Sequence, residues 1–235
     1  MSKQEINKKL FQDRKRTNIL SDPEQRLISY LVPRIPDRIT SDGLTAIGFF
    51  GSLMILVSFL LAEYVDRDLL LLAIPGFFIQ WFGDSLDGRI AYYRNKSRKW
   101  YGFALDIVMD WVSTVFIGLG YILYTVGDFK YLGFALVALY GWAMIISQLR
   151  YRITDKYTID AGLLGPTEIR VVVCLVLLVE VIFKGTIDYS VLGICVILFF
   201  INIGDTIKLL AVGDAKDKEE KLAKQQADQA RNDGI

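Results

Sequence analysis

Four aspartates in this sequence are spaced so that they could bind divalent metal ions together. Asp84 and Asp87 are three positions apart, and Asp106 and Asp110 are four positions apart. On a helix, each of these spacings puts both carboxylates on one face. The segment between the two pairs is short and basic, so the helices on either side of it are antiparallel neighbours. We therefore expect the two pairs to converge at one end of these helices.

The histidine and cysteine content limits which metal ions such a site could bind. The chain has no histidine, and both of its cysteines lie in apolar runs. Oxygen ligands alone favour Mg2+, Mn2+ or Ca2+ over zinc or copper. Ionised aspartates about 5 Å apart repel one another by roughly 3 kcal/mol per pair at an effective dielectric constant near 20, so cations must offset that charge. Two ions, Mg2+ or Mn2+, about 3.5 to 4 Å apart would suit displacement at phosphorus.

The elements that carry these aspartates are apolar enough to cross a membrane. Hydrophobic residues make up 53% of the 235-residue chain, and the mean hydropathy is +0.35. This composition predicts an all-α integral membrane protein. Six transmembrane helices are predicted, and the second and fifth are the shortest. They cover residues 43–62, 68–85, 103–124, 131–149, 168–184 and 189–211.

The distribution of basic residues predicts the orientation of these helices. Of the 27 lysine and arginine residues, only Arg67, Lys130 and Lys184 fall in connections on one side of the predicted spans. All the others fall on the opposite side, and basic residues mark the cytoplasmic side. Both termini and the four aspartates are therefore predicted to lie at the cytoplasmic face.

The chain divides into three predicted parts. Residues 1–42 form a cytoplasmic segment with an amphipathic helix, residues 43–212 a six-helix catalytic domain, and residues 213–235 a charged cytoplasmic tail. The apolar residues of the first helix share one face, which would lie in the membrane interface or pack on the rest of the protein. They are Leu27, Ile28, Leu31 and Val32, beside Arg26 and Arg34.

The full pattern of aspartates and small residues resembles a known family signature. It reads Asp84-x2-Asp87-Gly88-x2-Ala91, then Gly102-x3-Asp106-x3-Asp110. This is similar to the motif of the CDP-alcohol phosphotransferase family of membrane enzymes, also called CDP-alcohol phosphatidyltransferases. The resemblance implies transfer of a phosphoryl-bearing group from a CDP-linked donor to an alcohol, with release of CMP.

The resemblance also implies roles for individual residues. Asp84, Asp87 and Asp106 would bind the metal ions, and Asp110 would complete the metal site and take the proton from the attacking hydroxyl. The nucleotide would contact small or polar residues, namely Thr45, Gly88, Ala91 and Gly102. The sequence departs from the family pattern at Tyr92, where arginine is usual. Arg94 lies seven positions after Asp87, so it would return to the same helix face and substitute for the missing arginine.

Arginines near the fourth and fifth predicted helices are candidates for binding the acceptor. Arg150, Arg152 and Arg170 face the same compartment as the aspartates in the predicted topology. Arginine suits bidentate binding of a phosphate, which favours a phosphorylated acceptor or a lipid head group. The general excess of basic residues on the cytoplasmic side explains their position equally well.

The sequence leaves several functions open. The first is transfer of a phosphatidyl group from CDP-diacylglycerol to a small polar alcohol, with or without a phosphate of its own. The three arginines favour this function, because an anionic acceptor needs cations. The second is transfer from CDP-choline or CDP-ethanolamine to a lipid alcohol. More distant alternatives are a divalent-cation transporter and an inactive scaffold. The expected partners are the two substrates and the membrane, without nucleic acid, and a homodimer would fit the family.

Overall fold

The computed structural model describes residues 19–154 and 165–233. Within these ranges the protein is helical and contains no strand. Short 3-10 helices occupy Val32–Arg34, Arg67–Leu72 and Gly127–Phe129. The described ranges hold seven α-helices: α1 Ser21–Leu31, α2 Ser41–Tyr64, α3 Ala73–Tyr93, α4 Lys99–Tyr124, α5 Lys130–Thr154, α6 Pro166–Ile182 and α7 Thr186–Asp233.

Five of the helical segments in the described residues are long and apolar enough to cross a membrane. They contain α2, α3, α4, α5 and α7, which confirms five of the six predicted spans as long apolar helices. The fifth predicted span forms α6, which has 17 residues. A helix of this size is about 26 Å long, slightly less than the roughly 30 Å hydrocarbon core. Its crossing of the membrane therefore stays a prediction.

The last helix, α7, continues well beyond the apolar part of its sequence. It has 48 residues and runs without interruption through the predicted boundary between positions 212 and 213. Its apolar first half packs against α5, with Asn202 Nδ2 donating to Leu139 O at 2.8 Å. The charged residues that follow are mostly exposed from position 214 to position 226. The division of the chain into three parts remains a prediction.

Helices α2 and α3 approach closely because both carry glycines where they cross. A Cβ atom on Gly51 would lie only 2.7 Å from the carbonyl oxygen of Gly76. A Cβ on Gly83 would overlap the backbone of Gly48 and Leu44. Small residues let helix backbones meet in this way. The crossing sets Thr45, on the first turns of α2, beside the aspartates at the end of α3.

At the opposite end of the bundle, Glu180 joins three helices. Its carboxylate on α6 accepts hydrogen bonds from Tyr124 Oη on α4 at 2.8 Å and from Ile187 N in the first turn of α7 at 2.9 Å. Gly185 N and Thr186 Oγ1 donate to the same carboxylate. The side chain is 1% exposed, so these donors replace water as its hydrogen-bond partners.

Helix α1 packs on α3 through much of its predicted apolar face. Ile28 and Val32 are 1% exposed and contact the cluster around Leu86. Trp81 Nε1 also donates to Glu24 at 3.3 Å. Leu27 and Tyr30 point outward and are exposed. The packing of α1 on the protein is therefore observed, whereas its placement in the membrane interface stays a prediction.

Candidate active site

The four aspartates predicted from the sequence lie around one cavity. Asp84 and Asp87 come from the last turns of α3, and Asp106 and Asp110 come from the first turns of α4. All four line both a large cavity of about 1900 Å3 and a small recess beside it. As expected from their spacing, the two pairs therefore lie at the same end of α3 and α4 and line one cavity.

The turn between α3 and α4 sets this arrangement. Asn95 adopts a left-handed backbone conformation with φ of 56°, which asparagine tolerates better than most residues. Lys96 N donates to Ala91 O at 2.8 Å and closes the end of α3. Arg98 then forms an ion pair with Asp42 at the start of α2. The chain reverses within a few residues, which keeps the two aspartate pairs at the same level.

Two of the aspartates are held by protein donors. Asp84 Oδ2 accepts a hydrogen bond of 2.7 Å from Arg170 Nη2, which comes from α6. Asp87 Oδ2 accepts one of 2.6 Å from Thr45 Oγ1, and Asp87 Oδ1 accepts one from Gly88 N. Thr45 therefore connects α2, and Arg170 connects α6, to the aspartate pair on α3.

The donor atoms at this site suit a hard divalent cation, although the side chains do not converge on one position. Among the described residues, no group of three or more acidic or cysteine side chains is close enough to hold an ion as it stands. The carboxylates nevertheless act on one another: Asp110 lies in the field of the negative charges of Asp84 and Asp106 and of the positive charge of Arg170. Four carboxylates around one recess therefore fit a divalent ion in chemistry and in charge.

The residues predicted to bind nucleotide also line the large cavity. They include Thr45, Gly88, Ala91, Arg94 and Gly102. A Cβ atom placed on Gly88 or Gly102 would meet nothing within 4 Å. These two glycines are therefore not required by helix packing, in contrast to the glycines at the crossing of α2 and α3.

Arg94 has a structural role that the sequence did not reveal. Its Nη1 donates to Ile39 O, and its Nη2 donates to Ile35 O and Pro36 O at 2.9 and 3.0 Å. Asp37 lies 3.6 Å from the same guanidinium. Arg94 thus fixes the segment before α2. Its part in binding a diphosphate remains a prediction, and these carbonyls already engage its donors.

The three arginines predicted to bind the acceptor have different environments. Arg170 and Arg150 line the cavity, and Arg150 lies 3.7 Å from Asp205 on α7. Arg152 is exposed and does not line the cavity. Residues 155–164, between Arg152 and Arg170, lie outside the described ranges.

Comparison with known families gives a match that covers most of the bundle. A family model for CDP-alcohol phosphatidyltransferases matches residues 38–204, which is well over half of the chain.

The chain belongs to the CDP-alcohol phosphatidyltransferase family.

No curated protein matches the sequence. Membership in the family, together with the apolar helices, makes the chain an integral membrane enzyme that transfers a substituted phosphate group in phospholipid biosynthesis. Enzymes of this family generally depend on a divalent metal ion. The similarity recognised in the aspartate motif is therefore confirmed over the whole bundle, from the segment before α2 to the middle of α7.

Two residues of this CDP-alcohol phosphatidyltransferase site were not predicted from its sequence. Gln80 lies one turn before Asp84, is buried, and accepts a hydrogen bond from Arg170 Nε at 3.3 Å. Its four-residue spacing from Asp84 was a signal that could have identified it. Tyr140 lies on α5 and lines the same cavity close to the charges of Asp110 and Arg170. No local pattern in the sequence marks Tyr140, because α5 meets the site only through the tertiary fold.

The cavity also extends from the aspartates into the apolar interior of the bundle. Beyond Asp110 its walls consist mainly of aliphatic and aromatic side chains from α4, α5, α6 and α7. These include Ile117, Tyr121, Leu136, Val176, Leu177 and Val191. The site therefore joins a charged end to a long apolar end.

Proposed function

We propose that this enzyme transfers the phosphatidyl group of CDP-diacylglycerol to a small polar alcohol, which carries a phosphate of its own, and releases CMP. The observation that carries the proposal is the shape of the cavity, which joins a charged end, with the four motif aspartates, Arg150 and Arg170, to an apolar interior. CDP-diacylglycerol needs both environments, because its diphosphate is charged and its acyl chains are apolar. Arg150 and Arg170 supply cations for an anionic acceptor.

The proposed reaction is a displacement at the phosphorus of the phosphatidyl group. The acceptor oxygen forms a new bond to this phosphorus while the bond to the oxygen shared with CMP breaks, and CMP takes that electron pair. Asp110 takes the proton of the attacking hydroxyl, since it lines the recess beside the other aspartates. Thr45, Gly88, Ala91 and Gly102 contact the cytidine end of the donor.

Asp84, Asp87, Asp106 and Asp110 would hold two divalent ions, Mg2+ or Mn2+. Bound there, the ions would neutralise the diphosphate and stabilise the charge on the leaving CMP. The protein's own contribution is to orient Asp87 through the hydrogen bond from Thr45. We further propose that six helices cross the membrane, that this end of the bundle faces the cytoplasm, and that the enzyme works as a homodimer.

The test is release of CMP by purified protein in detergent with Mg2+ or Mn2+. CDP-diacylglycerol and CDP-choline are offered separately, each with a panel of acceptors. We expect turnover with CDP-diacylglycerol, loss of turnover after chelation, and a decrease in kcat of about 100-fold or more in Asp110→Asn. Asp214→Asn is the matched control, because Asp214 pairs with Lys218 on the exposed part of α7.

Other outcomes would assign a different function. Turnover with CDP-choline and a lipid alcohol would replace the proposed donor, and the apolar interior would then hold the acceptor. Absence of CMP release with every pair would point to Tyr92, the departure from the family pattern, and to an inactive scaffold. Cation flux in proteoliposomes without CMP release would identify a transporter.

A further inference from the structure

Arg170 connects α6 to two residues that lie one turn apart on α3. Its Nη2 atom donates to Asp84 Oδ2 at 2.7 Å, and its Nε atom donates to Gln80 Oε1 at 3.3 Å. The Arg170 side chain is 14% exposed and that of Asp84 is 28% exposed. The guanidinium therefore sits inside the aspartate site rather than at its mouth.

This contact gives Asp84 a cationic partner from the protein itself. Asp84 is one of the four carboxylates proposed to hold divalent ions, and its Oδ2 atom is engaged by Arg170. A guanidinium and a divalent cation repel each other when both approach one carboxylate. Hence Asp84 must release Arg170 to accept an ion at the same oxygen.

The hydrogen bond to Gln80 determines where the side chain of Arg170 lies after Asp84 releases it. Arginine carries five N–H donors in a planar fork, so one nitrogen can remain bound while another is freed. The bond from Nε to Gln80 does not involve Asp84, and Gln80 is 7% exposed. The side chain of Arg170 would then stay in the cavity wall, with its Nη atoms available to a tetrahedral anion.

We propose that Arg170 and a divalent ion compete for Asp84, and that Gln80 keeps the displaced Arg170 in place to bind the phosphate of the acceptor. The inference rests on the metal site of the proposed function. Binding of the ion then prepares the anion site, and by linkage an anion at Arg170 tightens binding of the ion. Gln80 acts as a positioning residue in this scheme, since it contacts neither the reacting atoms nor the ion.

The experiment measures the affinity of the full-length protein for Mn2+ in lipid nanodiscs, from the electron paramagnetic resonance signal of free Mn2+, without nucleotide or lipid donor. Arg170→Gln is expected to bind Mn2+ roughly fivefold more tightly or better, the usual lower limit for coupled sites. Arg150→Gln removes an equal charge from the same cavity, but Arg150 faces Asp205 instead. It should change the affinity much less, and the exposed Arg152→Gln should not change it.

A second titration tests the anion site, with sulfate as the probe and chloride at the same ionic strength as the control. Sulfate should tighten binding of Mn2+ to the wild type and to Arg152→Gln. The same effect should be absent in Arg170→Gln and in Gln80→Leu. In Gln80→Leu the carboxylates remain, so Mn2+ itself should bind at least as tightly as to the wild type.

Each outcome decides a different point. If the wild type binds no Mn2+, both the proposed metal site and the proposed competition are wrong. If the wild type binds Mn2+ but Arg170→Gln binds it equally or more weakly, only the competition is wrong. If sulfate acts on Gln80→Leu as on the wild type, Gln80 does not retain Arg170. Should Arg170→Gln fail to fold, Arg170→Met removes the charge with an unbranched side chain, and tighter binding of Mn2+ than in the wild type is again expected.

Discussion

Thr45 Oγ1 donates a hydrogen bond of 2.6 Å to Asp87 Oδ2 and so connects the start of α2 to the aspartate site. Thr45 is 8% exposed, which shields this bond from water. Ser41 Oγ, one turn earlier, donates to the main-chain carbonyl of Asp87 at 2.9 Å. Helix α2 therefore orients Asp87 through both its side chain and its backbone.

The contact between Thr45 and Asp87 predicts a specific loss of activity. Thr45→Val keeps the shape of the side chain but removes the donor to a carboxylate, a bond worth about 1.5 to 3 kcal/mol. We expect kcat/KM for the CDP-linked donor to fall by roughly tenfold to 100-fold. Thr45→Ser retains the hydroxyl and should stay close to the wild type. Equal activity of the valine and serine variants would contradict the role given to this hydrogen bond.

Two glycines on α3 should respond differently to the same substitution. Gly83→Ala adds a Cβ atom into the backbone of α2, and this overpacking should cost about 1 to 3 kcal/mol. Gly88→Ala adds a Cβ into open space, so stability should be unchanged or slightly increased. Thermal unfolding in detergent measures both effects.

The activities of these glycine variants provide the complementary test. Because Gly88 is proposed to contact the nucleotide, Gly88→Ala should raise KM for the CDP-linked donor while the protein remains stable. An unchanged KM would remove Gly88 from the proposed nucleotide site. The stability comparison with Gly83→Ala would still hold, since it depends on helix packing alone.

Glu180 should be important for stability although it lies far from the aspartates. Glu180→Ala leaves buried donors on Tyr124 and at the start of α7 without their acceptor, at a cost of at least about 2 kcal/mol. We expect the apparent melting temperature to fall by about 5 °C or more. Glu63→Ala, an exposed glutamate at the same end of the bundle, is the control. Similar melting temperatures for the two variants would show that the network around Glu180 contributes little.

The orientation of the bundle can be tested with single cysteines. Cys174 and Cys195 are replaced by alanine, and one cysteine is then introduced at Lys96 or at Val65. Both positions are exposed, and they lie at opposite ends of the bundle, Lys96 after the end of α3 and Val65 after the end of α2. The excess of basic residues around Lys96 predicts that position 96 faces the cytoplasm. A membrane-impermeant thiol reagent applied to intact cells should therefore label position 65 and spare position 96. The reverse labelling pattern would overturn the predicted topology.

The sequence was sufficient to predict most of the helices and the convergence of the aspartates. These features depend on local patterns: apolar runs near 20 residues, and pairs of carboxylates three or four positions apart beside a short turn. The fifth predicted span, residues 168–184, corresponds to α6, Pro166–Ile182, which has the same length of 17 residues. The change from apolar to charged residues near position 212 does not interrupt the hydrogen bonds of α7, and the tail as a separate part of the chain stays a prediction.

The partners of the aspartates were harder to predict. Arg94 follows the expected periodicity on α3, but its guanidinium turns to the carbonyls of residues 35, 36 and 39. Sequence spacing does not indicate which of several acceptors a long side chain will reach. Arg150 and Arg152 illustrate the same point, since both lie at the end of α5 and only Arg150 lines the cavity.

The sequence by itself determined the family, the helical architecture and the identity of the four carboxylates, because each of these depends on residue types at fixed short spacings. Only the tertiary structure decided how these carboxylates are held. Thr45 lies 42 positions from Asp87, and Arg170 lies 86 positions from Asp84. Contacts over such distances along the chain depend on how α2 and α6 pack against α3. This packing results from the close glycine crossing and from many buried contacts rather than from any local pattern.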